Sequence, residues 1–84
     1  MPSHDEKYRQ LALNISFYRK LAGMTQQELA DKVPMSRGYL SVIESPNRPQ
    51  SFSIDILFDI AKALDVEPYQ LLDFSRAKDM KEQP

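Results

Sequence analysis

Apolar residues recur along most of the chain at steps of three and four, the period of a helix that hides one side. Tyr8, Leu11, Ile15, Tyr18 and Ala22 form such a line and predict a first helix from about Asp5 to Ala22. Leu13, Phe17 and Leu21 make a second line at steps of four on the same segment. Either the buried stripe is wide, or Phe17 meets a partner subunit. Gly23 closes the helix as a left-handed cap. Thr25 then opens a second helix, and Glu28 three residues on completes a capping box, with Leu29, Ala30 and Val33 on its buried side. Pro34 disfavours helical backbone at the residue before it, so this helix should fail near Lys32 or Val33.

Ser36 is the next N-cap, and a third helix from about Arg37 to Ser45 buries Leu40 and Ile43. Pro46 and Pro49 in "SPNRPQ" forbid its continuation. Ser53 caps a fourth helix, "IDILFDIAKAL", in which Ile54, Leu57, Phe58, Ala61 and Leu64 keep the helical period. A fifth, "PYQLLDF", starts on Pro68, a residue favoured at the first helical position. No run alternates with the period of two that a half-buried strand needs. The expected architecture is all-α: a compact five-helix domain over residues 8–74, between an N-terminal tail (1–7) and a polar C-terminal tail (75–84).

Composition narrows the chemistry. A chain of 84 residues suits one small domain. It has no cysteine, which rules out a disulfide framework and a thiolate metal site and is compatible with the cytoplasm. No apolar run approaches the ~20 residues of a membrane span, and the polar start "MPSHDEKYRQ" does not resemble a signal peptide. The one histidine, His4, sits in the polar N-terminal stretch without partners to fix its tautomer or shift its pKa. Two glycines are too few for a phosphate-cradling loop. An enzyme is therefore not expected, nor a cofactor or a metal.

The run "TQQELADKVPMSRGYLSVIE", Thr25–Glu44, holds two short helices with a sharp break. Ala30 leaves room for the third helix to approach, and Val33, Leu40 and Ile43 bind the pair. The short break makes the helices cross steeply. The exposed side of the third helix then carries Arg37, Gly38, Ser41 and Val42, with Tyr39 near the edge. A projecting helix fits the DNA major groove in width, and its N-terminal end favours phosphate.

This run resembles the helix-turn-helix of the phage-repressor class, which includes the Cro and cI repressors and the xenobiotic-response-element group. The matching residues are Arg19, Gly23-Met24-Thr25-Gln26, Glu28-Leu29-Ala30, Val33, Ser36, Leu40-Ser41 and Ile43-Glu44. "IAKALDVEPYQLL" is similar to the same family's fourth and fifth helices, so the resemblance spans about Leu11 to Phe74. It implies a lambda-repressor-like fold and a role for individual residues. Gln26 matches the position that clamps a phosphate. Arg37, Gly38 and Val42 match those facing base edges. There Arg37 has the fork for guanine O6 and N7, Val42 can touch a thymine methyl, and Gly38 can only admit the backbone. Ser41 and Tyr39 are placed for phosphate or sugar, and Asn47 and Arg48 fall where the family's loop grips the far strand. Thr25, Gln27 and Ser36 complete the expected DNA-facing set. Arg19 and Glu44 match an ion pair between the first and third helices. Two departures stand out. Pro34 replaces a glycine of positive φ, so the turn must take another shape, and Pro46 replaces the glycine after the glutamate.

Net charge bears on this reading. The chain as a whole is at −1, yet Arg19–Arg48 holds five bases against three acids, a net of +2 that leaves −3 elsewhere. Asp55, Asp59, Asp65, Glu67 and Asp73 face Lys62 alone in the fourth and fifth helices. One half is mildly basic, the other acidic. Few bases mean few phosphate contacts for one copy, so a homodimer on a pseudo-palindromic double-stranded operator is expected. The resemblance places the dimer contact near the fifth helix, with Tyr69, Leu71, Leu72 and Phe74 as candidates beside Phe17, although Leu71 and Leu72 are equally suited to the core. Two functions follow: a transcriptional regulator, most simply a repressor, or an antitoxin or regulatory interaction protein whose acidic half binds a protein partner.

Overall fold

Hydroxyl caps set where three of the helices begin. The computed structural model describes residues 4–75, which form five helices: α1 (Asp5–Leu21), α2 (Gln26–Lys32), α3 (Arg37–Ile43), α4 (Ile54–Leu64) and α5 (Pro68–Leu71). No strand occurs among the described residues. Thr25 Oγ1 accepts from the Glu28 N–H at 3.1 Å, and Glu28 Oε1 accepts from the Thr25 N–H at 2.9 Å, a complete capping box. Ser36 Oγ accepts from the Tyr39 N–H at 3.0 Å and Ser53 Oγ from the Ile56 N–H at 3.3 Å. At α5 the Gln70 side chain reaches back instead, its Oε1 accepting from the Glu67 N–H at 2.8 Å.

The helix ends are equally specific. After α1, Gly23 takes φ 75°, so its N–H reaches Lys20 O and that of Met24 reaches Arg19 O, both at 3.0 Å. α4 ends on Asp65, at φ 58°, ψ 42°, in the same left-handed region without glycine's freedom. α2 stops at Lys32 with Val33 as its C-cap, and the Val33–Pro34 peptide bond is cis. The Met35 N–H then bonds Ala30 O at 2.8 Å, closing the turn in the shape that proline allows.

The core joins every helix. Leu11 and Ile15 from α1, Leu29 and Ala30 from α2, Leu40 and Ile43 from α3, Leu57, Ile60, Ala61 and Leu64 from α4 and Leu71 from α5 form one buried cluster with Val33. α2 packs on α3 and on α4, while α1 packs on α4 and α5. The polar side chain of Asn14 is buried against them. Asn14 is fully inaccessible, and its Nδ2 donates to Leu71 O at 2.8 Å and Asp73 O at 3.1 Å. The first helix is thereby fastened to the last by a group that would be costly to bury unpaired.

Several expectations need correction. α1 does start at Asp5, as its apolar line predicts, so the helix overlaps the stretch 1–7 set aside as a tail; His4 is exposed at its N-cap. The second stripe of α1 is no core face: Leu13, Phe17 and Leu21 are exposed. α3 ends at Ile43 and α5 at Leu71, both shorter than their apolar residues suggest. Ile54 and Phe58 keep the helical period of α4 yet lie at the edge of its stripe, 58% and 49% exposed. Most of the expected C-terminal tail, residues 76–84, lies outside the described residues.

Candidate nucleic-acid interface

α2 and α3 present the candidate interface, and a buried charge pair supports it from behind. Arg19, on the last turn of α1, lies beside Glu44 at the end of α3; both are more than nine-tenths buried. Arg19 Nε donates to Glu44 Oε2 at 2.9 Å and Arg19 Nη2 to Glu44 Oε1 at 3.0 Å, a bidentate fork. The third guanidinium nitrogen, Nη1, donates to Met24 O at 2.8 Å, which the left-handed turn at Gly23 has swung back towards α1. Gln26 joins the group through Nε2, which donates to Glu44 Oε1 at 3.2 Å. One amide N–H of Gln26 is thus engaged, and its side chain is held at the start of α2, half-buried.

Other residues of the expected set divide by what already occupies them. Thr25 and Ser36 are exposed, but their oxygens accept from the backbone as caps. Gln27 is exposed and its Nε2 donates to Asp31 Oδ1 at 2.8 Å. Arg37, Gly38, Tyr39, Ser41 and Val42 form the exposed side of α3, opposite Leu40 and Ile43. Tyr39 and Val42 are each 38% exposed. Arg37 makes no hydrogen bond or ion pair with any described residue, so it is not spent on a neighbouring carboxylate. In the following loop Asn47 and Arg48 are exposed, and Arg48 likewise pairs with no described residue. The Thr25 backbone N–H, and then its hydroxyl, hold the Glu28 carboxyl below its ordinary range.

The dimer candidates do not share one surface role. Leu71 is wholly inaccessible within the core, so it cannot meet a second copy. Phe74 is half-buried against the same core. Tyr69 and Leu72 are 70% and 47% exposed. Leu72 and Ile54 line a groove of about 370 Å³ with Leu11, Leu57 and Phe74, between the start of α1 and that of α4. Phe17 lies on the outward side of α1, edge-on to Tyr18 with ring centroids 5.2 Å apart. Sequence reasoning missed Asn14, which nothing in its neighbours marks as buried. It also missed the exposure of Ile54 and Phe58.

A short helix seated across a second by its apolar side, with the outward side exposed, defines a helix-turn-helix protein. The helix-turn-helix family model matches residues 15–71, and the chain belongs to that family of DNA-binding transcription regulators, in its Cro/cI-type, xenobiotic-response-element branch. It is 39% identical over 70 residues to the control protein C.BamHI of Bacillus amyloliquefaciens, a match covering 83% of this chain and 76% of that protein. Its fold is similar to the crystal structure of the hypothetical transcription factor NHTF from Neisseria. The TM-score there is 0.77 at 27% identity, over 96% of this chain and 91% of the other. Among the described residues no helix is long and apolar enough to cross a membrane.

Proposed function

We propose that the protein is a sequence-specific transcriptional regulator, most simply a repressor, that reads a pseudo-palindromic operator as a homodimer in the cytoplasm. The observation that carries this reading is the outward side of α3, where Arg37 stands exposed with no partner among the described residues. Arg37 takes guanine through its fork, and Val42 takes a thymine methyl. Gln26 holds a backbone phosphate with the amide N–H that Glu44 leaves unused, and Arg48 and Asn47 hold the far strand. Regulation then requires no chemistry: a bound dimer occludes the promoter.

The dimer forms through the exposed apolar residues of α4 and α5, Ile54, Phe58, Tyr69 and Leu72. In such a dimer the two α3 helices are expected about one turn of DNA apart, roughly 34 Å. The test is selection of random duplex DNA on the purified protein, with binding titrated at two salt concentrations. An enriched pseudo-palindrome and affinity that falls steeply with salt are expected. Absence of enrichment, with negligible binding at low salt, would overturn the reading and turn attention to a protein partner for the acidic half.

A further inference from the structure

α3 carries a glycine where the fold has no need of one. Gly38 is the second residue of the helix, and it is not among the residues of positive φ. A methyl group on its Cα would point into open space, with no heavy atom within 4 Å. The contrast is Gly23, whose φ of 75° makes the turn after α1 and suits glycine above other residues. Glycine in a helix is destabilising relative to alanine, because it surrenders more backbone freedom on folding. The folded domain would therefore be more stable with alanine at position 38.

The location on the helix says what the glycine serves. Successive helical residues are turned by roughly 100° about the axis. Leu40 and Ile43 mark the buried side of α3. The midpoint of the opposite side falls within roughly 10° of Gly38. Arg37 and Ser41 lie on one flank of that crown and Val42 and Tyr39 on the other, all of them exposed. The residue that would project furthest from the domain thus has no side chain. Ser41 and Val42 beside it are short, and short side chains touch base edges only when the helix axis sits deep in the groove.

We propose that Gly38 is a specificity-determining residue of the DNA interface. Its bare crown lets the α3 backbone settle against the bases, which brings Arg37, Ser41 and Val42 within reach of their edges. A Cβ there extends the helix by roughly 1.5 Å at its most projecting point. The inference rests on the reading of α3 as the groove helix. It adds that the base pair beneath Gly38 is accommodated by close approach and not by a side-chain hydrogen bond.

The test compares the wild type with G38A and G38Q, two substitutions that both favour helix. A pool of duplexes with a random core of about 30 base pairs, long enough for two half-sites, is first enriched on the wild type. The enriched duplexes and the unselected pool are then titrated with all three proteins, and each protein is melted thermally. G38A is expected to melt about 1–5 °C higher than the wild type. It should bind the unselected pool equally well and the enriched duplexes on the order of 10-fold more weakly. G38Q should bind the enriched duplexes more weakly still, since the loss follows the size of what is added. Enriched duplexes bound equally by the wild type and either variant would overturn the proposal, as would a lower melting temperature for G38A, which would give the glycine to the fold. If the wild type enriches nothing, the DNA reading fails first and this inference with it.

Discussion

Arg37 lies on α3 and Arg48 in the loop after it, and their substitutions should separate cleanly. Arg37→Ala is expected to cost about 1–3 kcal/mol on the selected operator and to relax base choice at one position. Arg48→Ala should weaken all sequences alike and reduce the slope of log affinity against log salt by about 0.9. Equal losses on every sequence for Arg37→Ala, in the same titrations, would remove it from base reading. Behind them, Arg19 and Glu44 have a different character. Their attraction is largely offset by the cost of taking both charges out of water, so the pair itself adds little net stability. Removing one partner is another matter. Glu44→Ala leaves a buried guanidinium without its carboxylate and is expected to cost about 3–5 kcal/mol, a large part of a small domain's stability. Replacing both residues by apolar ones of similar volume should restore much of that loss in a denaturant titration. A restored fold would come without the Glu44 anchor for Gln26, so if Gln26 holds a phosphate as proposed, DNA affinity is expected to stay impaired.

At the scale of the element, the caps were legible because each is a local bargain between a few consecutive residues. Thr25 with Glu28, Ser36 before Arg37 and Ser53 before Ile54 mark helix starts in the sequence and in the fold. Pro34 marked where α2 must stop, and Lys32 is its last residue. Less legible was whatever depends on distant neighbours. Asn14 is polar in sequence and buried in the fold, where Leu71 at the end of α5 and Asp73 just after it supply carbonyls 57 and 59 positions away. Ile54 and Phe58 sit at the edge of a periodic stripe, where the packing of neighbouring helices decides exposure. Asp65 gave no sign that it would take left-handed backbone, a role usually left to glycine. The capping box also carries a pH signature. Because Thr25 lowers the Glu28 pKa in the folded state, its contribution is complete above the ordinary carboxylate range. That contribution is lost as pH falls through the lower, folded value. Glu28→Gln keeps an acceptor but cannot titrate, so its melting temperature is expected to fall less steeply below about pH 4 than that of the wild type.

For the whole molecule, the question posed by a net charge of −1 is answered by segregation. On α2, α3 and the loop after it the exposed bases Lys32, Arg37 and Arg48 outnumber the acids Glu28 and Asp31, while on α4 and around α5 the exposed Asp55, Asp59, Asp65 and Glu67 outnumber Lys62. Such an arrangement favours one orientation of approach to a polyanion over the reverse. With few bases, single copies should bind weakly, and dimer formation should govern affinity. Leu72→Glu adds a charge at a half-exposed apolar site in the groove, outside the buried cluster itself, so its helical circular dichroism should stay close to that of the wild type. Sedimentation at micromolar concentration is expected to show it as a monomer, with a loss of operator affinity of 10-fold or more, roughly 1.4 kcal/mol. A dimeric Leu72→Glu would move the contact elsewhere, with the Leu13–Phe17–Leu21 side of α1 the next surface to probe.

The amide of Asn14 has a consequence for the order in which the protein comes into being. Its acceptors, Leu71 O and Asp73 O, belong to residues made almost sixty positions later. While the chain is still being synthesised, burying the inner side of α1 would leave that amide short of the two carbonyls that Leu71 and Asp73 supply. Closing α1 to α4 early forgoes those two bonds and the packing of Leu71, so the core is expected to tighten only once α5 has emerged. Products of premature termination upstream of Leu71 would carry α2 and α3 intact in sequence yet lack a closed core to hold them at the groove-reading angle. A truncated message is thus expected to yield fragments open to proteolysis.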